Sequence, residues 1–434
     1  MQSAPRWRHM RREFVCESYR FVPESGTLSL HYHFDTGERF EERITFPAGV
    51  QPNEALDRVF RLLLLACGVS YYKAFAPYRI RCAAFALDAP TARFFTSFYV
   101  KGLAEFAWRN RIDLGEMRFE TDGAEPPSPV PLDLPRLTCV PVGGGKDSIV
   151  TVECLKRAGE PLVLFSLGAA APIEATIARA GLPAIRVTRR LDPALFALNE
   201  AGALNGHVPI TGILSMIVLA CAIMCGFDTI AMSNEHSASA PNIAGVNHQY
   251  SKSFEFEQSF SRLLERHVRG VRYFSLLRPL SEVAIARRFA CHPEYLPVFR
   301  SCNTAFRQAV ERRGTNWCCD CPKCRFVFLV LAPFLERQRL VSTFGRDMLD
   351  DASQTDGFAE LCGLLRHKPF ECVGEIKESA TVMTHLAGVA SWRDAAVVRA
   401  LAPRLPTGDF DALFGMHAPH QVPPRYLAML DACG

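Results

Sequence analysis

The stretch Leu137–Cys154, LTCVPVGGGKDSIVTVEC, decides how the rest of the chain is read. Leu137 to Val142 is a short apolar run of the kind that forms a buried strand. Gly143, Gly144 and Gly145 follow, then Lys146, Asp147 and Ser148, and Ile149 to Leu155 reads as a helix. A strand, a glycine turn and a helix start together make a cradle for phosphate. Glycine lets the backbone approach an anion with no Cβ in the way. The free N–H groups of a helix start point at that anion, and the helix dipole favours its charge. Lys146 adds a full positive charge and Ser148 a hydroxyl donor. Two common phosphate loops are excluded. G-x-x-x-x-G-K-[ST] fails because Asp147 follows Gly145-Lys146, and G-x-G-x-x-G fails as well. A plain glycine-rich strand-to-helix turn is the competing reading, and the surrounding α/β pattern weighs against it.

Downstream of this loop, strands and helices alternate. Pro161 to Leu167 reads as a strand, and Pro172 to Ala180 as a helix stopped by Gly181 and Pro183. Ala184 to Thr188 is the next strand, Ile213 to Cys225 a buried helix and Thr229 to Met232 a buried strand. Such alternation predicts a parallel sheet with helices on both faces. Ligands of these sheets bind beyond the carboxyl ends of the strands. Here those ends are 143–148, 166–170, 188–190 and 233–237, the last reading Ser-Asn-Glu-His-Ser. Asn242 to Glu257 is dense in polar groups, among them Asn247, His248, Gln249, Tyr250, Ser251, Lys252 and Ser253. Composition alone would equally describe a solvated loop; its place just after 233–237 favours a site. A helix runs on from it to Arg269, Arg272 to Leu280 is extended, and Glu282 to Ala290 is helical.

Upstream, Phe14–Val22, Thr27–Phe34 and Arg39–Phe46 read as strands, with Leu28, Leu30, Tyr32 and Phe34 alternating with polar positions. Asn53 to Cys67 is a helix capped by Asn53. Arg79 to Leu87 is a further strand, and Pro90 to Asn110 one long helix rich in aromatic residues. This α+β domain, residues 1–120, carries no obvious chemistry and reads as a scaffold or substrate lid. The early Arg6 to Arg12 cluster reads as a solvated start. Residues 121–136, with five prolines, have linker composition. A nucleotide-binding domain then spans 137–290. A helical lobe spans 291–434, with helices at Arg325–Gln338, Asp356–Leu365, Val373–Leu386 and Trp392–Ala402. Leu364 to Cys372 joins two of them, with the cations of Arg366, His367 and Lys368 beside Glu371.

The 434 residues suit two or three domains. A net charge of +4 is small for this length and gives no case for a nucleic-acid or membrane partner. The first residues lack the apolar stretch of a secretory signal. The most membrane-like run, Gly212 to Met232, is interrupted by the turn Gly226-Phe227-Asp228. Most of the sixteen cysteines, such as Cys67, Cys82, Cys139, Cys154, Cys221 and Cys225, lie scattered in apolar segments as small buried hydrophobes. A reduced, cytoplasmic chain is therefore the expectation. One cluster breaks the pattern. Cys318, Cys321 and Cys324 have the tight spacing zinc uses, and Cys302 is a candidate fourth ligand. Four thiolates around Zn2+ would close the site to water and give it a structural role. Free thiols, or a redox pair drawn from the four, remain the alternatives.

The sextet Gly143-Gly144-Gly145-Lys146-Asp147-Ser148 resembles the S-G-G-x-D-S loop of the PP-loop ATP pyrophosphatases, with Gly143 in place of the first serine. Val208-Pro209-Ile210-Thr211, Ser233-Asn234-Glu235, Val246 to Ser253, Trp317 to Cys324 and Lys368-Pro369-Phe370-Glu371-Cys372 extend the likeness to one branch of that superfamily. This branch is the UDP-N-acetylmuramoyl-L-alanyl-L-glutamate epimerases of bacterial cell-wall synthesis, the MurL family. The resemblance implies an adenine nucleotide α-hydrolase-like sheet. It also implies an enzyme that inverts the terminal glutamate of UDP-MurNAc-L-Ala-L-Glu, consuming ATP with Mg2+ and releasing AMP and diphosphate. The chemistry is coherent. Removing the α-proton beside an ionised carboxylate would place two negative charges together. Adenylation removes the carboxylate charge and lets the carboxyl accept the electrons as an enolate, so that a base and an acid on opposite faces can invert the carbon. On this reading Gly143, Gly144, Gly145, Lys146, Asp147 and Ser148 hold the diphosphate end of ATP and its Mg2+. Asn234 and Glu235 bind Mg2+ or the adenylate. Lys252 and Lys323 hold leaving phosphates or the substrate's second carboxylate. His248, with His236 second, is the acid or base because its pKa lies near neutrality; either histidine could instead be structural. Two rivals stand beside this reading. One is another PP-loop adenylating enzyme, resembling a deazaguanine nitrile synthase or a tRNA-thiolating enzyme. The other is a non-enzymatic module whose cysteine knuckle touches nucleic acid.

Overall fold

The computed structural model describes residues 13–243, 245–306, 314, 316–365 and 368–433. The Arg6 to Arg12 cluster, Arg366 and His367 lie outside the described residues. Twelve strands run through the described chain: β1 (Glu13–Val22), β2 (Thr27–Phe34), β3 (Arg39–Thr45), β4 (Arg79–Cys82), β5 (Arg118–Phe119), β6 (Val130–Pro131), β7 (Thr138–Pro141), β8 (Leu162–Leu167), β9 (Ala184–Arg190), β10 (Thr229–Met232), β11 (Val268–Arg269) and β12 (Arg272–Ser275). Ten of them form one sheet in the order β12-β10-β7-β8-β9-β3-β2-β1-β4-β5, while β6 and β11 pair separately. From β12 to β9 every pair is parallel. β9–β3, β3–β2 and β2–β1 are antiparallel, and β1–β4 and β4–β5 are parallel again. The result is a mixed α/β architecture whose sheet is mostly parallel.

Strands β7, β8 and β10 of the parallel half are buried on both faces, and the strand period shows how. Successive side chains of a strand point to opposite faces. Cys139 and Val140 of β7, Val163 and Leu164 of β8, and Ile230 and Ala231 of β10 accordingly fall into two different apolar cores. One core also holds Phe14, Leu30, Phe98, Ile213 and Phe256; the other holds Ile149, Phe274, Phe328 and Trp392. β2 has the half-buried alternation its sequence predicts, with Leu28, Leu30, Tyr32 and Phe34 buried. The helix Glu54–Cys67 starts at Asn53, whose side chain accepts from the Leu56 N–H at 2.9 Å. The membrane-like run is the buried helix Ile210–Cys225 followed by β10. Among the described residues no helix is long and apolar enough to cross a membrane.

The upstream strands are stitched to the parallel half by β3 against β9, over Arg43–Arg190 to Thr45–Thr188. A buried ion pair, Arg189 to Glu42 at 2.7 Å, locks the seam, and Arg189 also donates to Ser70 Oγ at 2.8 Å.

Several elements are shorter than the sequence suggests. The long aromatic helix is two, Ala89–Gly102 and Ala104–Asn110, with the break following Gly102, onto which the ring of Pro209 packs. The apolar helix of the C-terminal part is likewise two, Pro322–Leu331 and Arg337–Phe344; Pro333, between them, has no N–H to carry the helix on. The helix after the polar loop spans Phe254–His267, and Val268–Arg269 pass into β11. Helix Pro193–Glu200 was not foreseen. Cys154, expected as a free buried thiol in a reduced chain, is instead disulfide-bonded to Cys433. The C-terminal helix Pro424–Asp431 packs on helix Lys146–Arg157, and 279 residues separate the two cysteines, so nothing local signals the pairing.

Candidate functional site

The glycine turn stands at the carboxyl end of β7, as a parallel sheet requires of its ligand loops. Helix Lys146–Arg157 begins at Gly145 with no side-chain cap, so its first amides have no partner from a capping residue. Gly144 has φ +77°, a conformation that favours glycine. Its carbonyl accepts from the Arg300 N–H at 2.8 Å, and a Cβ there would come within 3.0 Å of the Pro172 backbone. A Cβ on Gly145 would meet Ser301 Oγ at 2.8 Å. At Gly144 and Gly145 the turn is therefore clamped against its neighbours with no room for side chains, while Gly143 faces open space. Beside it opens a cavity of about 320 Å³, lined by the loop and by Asn234, Lys252, Glu282, Lys323 and Cys372 among others.

Charge is dense at its floor. Lys146 is buried and pairs with both Asp147 and Glu282. Burial opposes its charge, but the two carboxylates more than offset it and hold the ammonium above its ordinary pKa. Burial, together with Asp147, Glu235 and Glu378, pushes Glu282 up despite Lys146. Burial also raises Glu378, to about 7, with Glu375 and Glu235 adding to the shift. Its two oxygens accept from the Glu282 and Glu375 N–H groups, each at 2.8 Å.

The other residues singled out in the sequence divide. Asn234 lines the cavity and donates to Ser275 Oγ at 2.9 Å. Glu235 is buried, and among the described residues it does not line this cavity. Lys252 lines it, and its Nζ donates to Cys372 Sγ at 3.4 Å. Lys323 lines it and pairs with Glu371 at 3.7 Å. His248 is not among the described lining residues. It is paired with Glu105 and hydrogen-bonded to Cys372, and its ring lies 4.2 Å from that of His207. Burial works against its charge, yet Cys372 and Glu105 raise its pKa to about 9, so it is an imidazolium at neutral pH. His236 stacks on His417 at 4.2 Å and lines a different cavity.

The ligand atoms of Cys302, Cys318, Cys321 and Cys324 all lie within 4.8 Å of one another. The sulfur of Cys324 is 3.6 Å from that of Cys318 and 3.5 Å from that of Cys321. A tetrahedron of thiolates about zinc, with bonds of about 2.3 Å, has edges of about 3.8 Å. The donor set and its spacing fit that ion.

Sequence reasoning missed Glu282 and Glu378 in the Lys146 cluster, and three contributors besides. Arg278, fully buried, donates to the Glu235 carbonyl at 2.6 Å and the Lys252 carbonyl at 2.5 Å, while Glu257 pairs with it at 3.0 Å. It ties the 233–237 turn to the polar loop. Glu105 comes from the portion read as scaffold. Cys372 was visible only as part of a motif, since its hydrogen-bond partner Lys252 lies 120 positions away.

Residues 6–276 match the family model described as the MurL N-terminal domain, and residues 298–412 match that of the MurL C-terminal domain. The chain belongs to the MurL family. The UDP-N-acetyl-alpha-D-muramoyl-L-alanyl-L-glutamate epimerase of Xanthomonas oryzae pv. oryzae is 42% identical over 429 residues, 94% of this chain and 95% of that protein. The protein of the same name from Salinispora tropica is 43% identical, over 95% of this chain and 94% of its own. That from a Micromonospora strain is 45% identical, over 96% and 97%. In this MurL chain the N-terminal match holds the glycine loop, Asn234 and Lys252, whereas the C-terminal match holds the four clustered cysteines, Lys323 and Cys372. The cavity is thus built by both MurL domains.

Proposed function

We propose that this chain is an ATP-dependent epimerase of cell-wall precursor synthesis, converting UDP-MurNAc-L-Ala-L-Glu to UDP-MurNAc-L-Ala-D-Glu. The relatives named above are named epimerases of this muramoyl dipeptide nucleotide and match along nearly the whole chain; none of the three is named as a thiolating or nitrile-forming enzyme. The observation that carries the mechanism is the clamped glycine turn with Lys146, opening on the same cavity as Asn234, Lys252 and Lys323. We read the turn as a PP-loop, and the chain as an N-terminal α+β part, a linker, a nucleotide-binding part and a helical lobe.

In this reading the uncapped amides of helix Lys146–Arg157 and Ser148 hold the phosphates of ATP, and Lys146 neutralises the departing diphosphate. Mg2+, when bound, would be held by Asp147 with Glu282 and would supply charge neutralisation at the phosphates. Asp147 and Glu282, two carboxylates on the one Lys146 ammonium, suit such an ion. Lys252 and Lys323 orient the glutamate carboxylates. The charged ring of His248 stands close to the proton-transfer step. Zn2+ on Cys302, Cys318, Cys321 and Cys324 would brace the fold with no open position. The reaction belongs in the cytoplasm, where ATP and nucleotide-linked precursors occur. Incubation of purified protein with ATP and UDP-MurNAc-L-Ala-L-Glu tests the proposal: AMP, diphosphate and D-glutamate on acid hydrolysis are the expected products. ADP in place of AMP, or L-glutamate only, overturns it.

A further inference from the structure

One nucleophile in the cavity has no part in the scheme so far. Cys372 is half-buried, is unbonded to any other cysteine, and lines the cavity with Gly143, Lys146 and Lys252. It stands apart from the four clustered thiols. Three cationic side chains from three parts of the chain converge on it: Lys252 at 3.4 Å, His248 by a hydrogen bond, and Lys323 from the start of helix Pro322–Leu331. Glu105, reaching across from helix Ala104–Asn110, holds Nδ1 of His248. The other acid–base groups at this cavity are already spoken for. Asp147 and Glu282 hold Lys146, and Lys252, Lys323 and Arg300 are cations. His248 reaches the cavity only through Cys372.

We propose that Cys372 is the thiolate base that takes the α-proton from the terminal glutamate, with Lys252 and His248 as its positioning residues. The inference rests on the epimerase reading above and deepens it. Thiolate, not thiol, is the reactive form, and neighbouring cations stabilise it. Burial alone would raise this thiol, but Lys252, His248 and Lys323 outweigh burial and bring it to about 6. In the step itself the Cα–H bond breaks and an S–H bond forms. The electron pair moves onto the oxygen of the adenylated carboxyl. The carbon recovers a proton on its other face from a cavity ammonium. The thiol proton returns to that amine through water, so no proton is consumed.

The test uses full-length protein in D2O with ATP and the L-Ala-L-Glu nucleotide, reading AMP release, deuterium at the glutamate α-carbon and D-glutamate content together. Cys372→Ser is expected to keep AMP release within about threefold while deuterium uptake and inversion fall at least about 100-fold, the size of a lost general base. Deuterium uptake at the wild-type rate in Cys372→Ser overturns the inference, as does a trapped glutamyl thioester on Cys372, which would make it a nucleophile. If Cys372→Ser loses AMP release as well, wild-type protein alkylated at Cys372 decides. Exchange lost with AMP release kept supports the role, and exchange kept refutes it. Wild-type protein that makes no AMP refutes the epimerase reading itself, a different outcome from any of these.

Discussion

Replacing Lys146 with methionine keeps most of the side-chain volume and removes the cation between Asp147 and Glu282. The Lys146 and Glu282 side chains are only 3% and 5% exposed, whereas Asp147 is 34% exposed and can fall back on water. Breaking a buried pair by removing one partner costs about 3–5 kcal/mol, because the other charge stays buried without compensation. Glu282 has a partial escape, since its pKa already stands well above the ordinary carboxylate value and without Lys146 rises further. The folded state then binds a proton that the unfolded chain does not, so the deficit grows as pH rises. Lys146→Met should therefore lose about 3 kcal/mol at pH 8 and clearly less at pH 5. Adding Glu282→Gln removes the stranded charge and should restore most of the stability at pH 8. It should not restore AMP release, which falls at least about 100-fold with the loss of the phosphate-facing cation. Urea unfolding midpoints of the wild type, both single variants and the double variant, at the two pH values, separate the two roles. A double variant no more stable than Lys146→Met at pH 8 refutes the ion-pair account. AMP release at the wild-type rate in Lys146→Met removes the loop from the mechanism.

Alkylation of Cys372 by iodoacetamide, followed by peptide mass spectrometry, should rise with pH around a midpoint of about 6. Lys252→Met should move that midpoint upward, because the thiolate loses the cation that lowers it most; an unmoved midpoint contradicts the contact. Purified protein should carry one zinc per chain by elemental analysis, and Cys324→Ser should lose it together with several degrees of melting temperature, as removal of a structural metal does. Protein isolated without chelators and free of zinc would leave the four thiols as packing. Glu371→Gln breaks the pair with Lys323 and should slow α-proton exchange about tenfold or more while changing AMP release less; equal losses in both would mean the residue serves the fold only.

What could be read from the sequence was what is local. The glycine turn, β2, the Asn53 cap and helix Glu282–Ala290 each depend on residues a few positions apart, and each stands where its pattern predicts. Cys318, Cys321 and Cys324 are separated by two residues each, so their convergence follows from one helix start, and Cys302 joins them as the sequence suggested. Contacts between distant segments were illegible. Glu105 meets His248 across 143 positions, Lys252 meets Cys372 across 120, and Arg278 reaches the Glu235 carbonyl across 43, the Lys252 carbonyl across 26 and the Glu257 carboxylate across 21. Where an apolar helical pattern continued past the end of a helix, as at Gly102 and Pro333, the period alone overran it, since side-chain spacing does not register where the helical backbone ends.

The segment Lys368–Cys372 has no helix or strand to fix it, yet it delivers the thiol to the cavity. Its rigidity comes from three directions. The Pro369 carbonyl accepts from Asn242 at 2.7 Å. Phe370 lies against Trp108, with ring centres 5.0 Å apart, and beneath the Arg109 guanidinium at 5.1 Å, so the N-terminal helix that supplies Glu105 also supports this segment. Glu371 is gripped by Asn303 at 2.6 Å and by Lys323 at 3.7 Å. Asn303 directly follows Cys302, and Lys323 sits between Cys321 and Cys324. A closed thiolate site that fixes those four cysteines thereby fixes both residues holding Glu371, and through it the neighbouring Cys372. A metal with no open coordination position can in this way matter to a proton transfer it never touches. It also explains why a helix from the part of the chain with no chemistry of its own belongs in the same machine. The thiol and its histidine are carried on separate segments, and the N-terminal helix is braced against both.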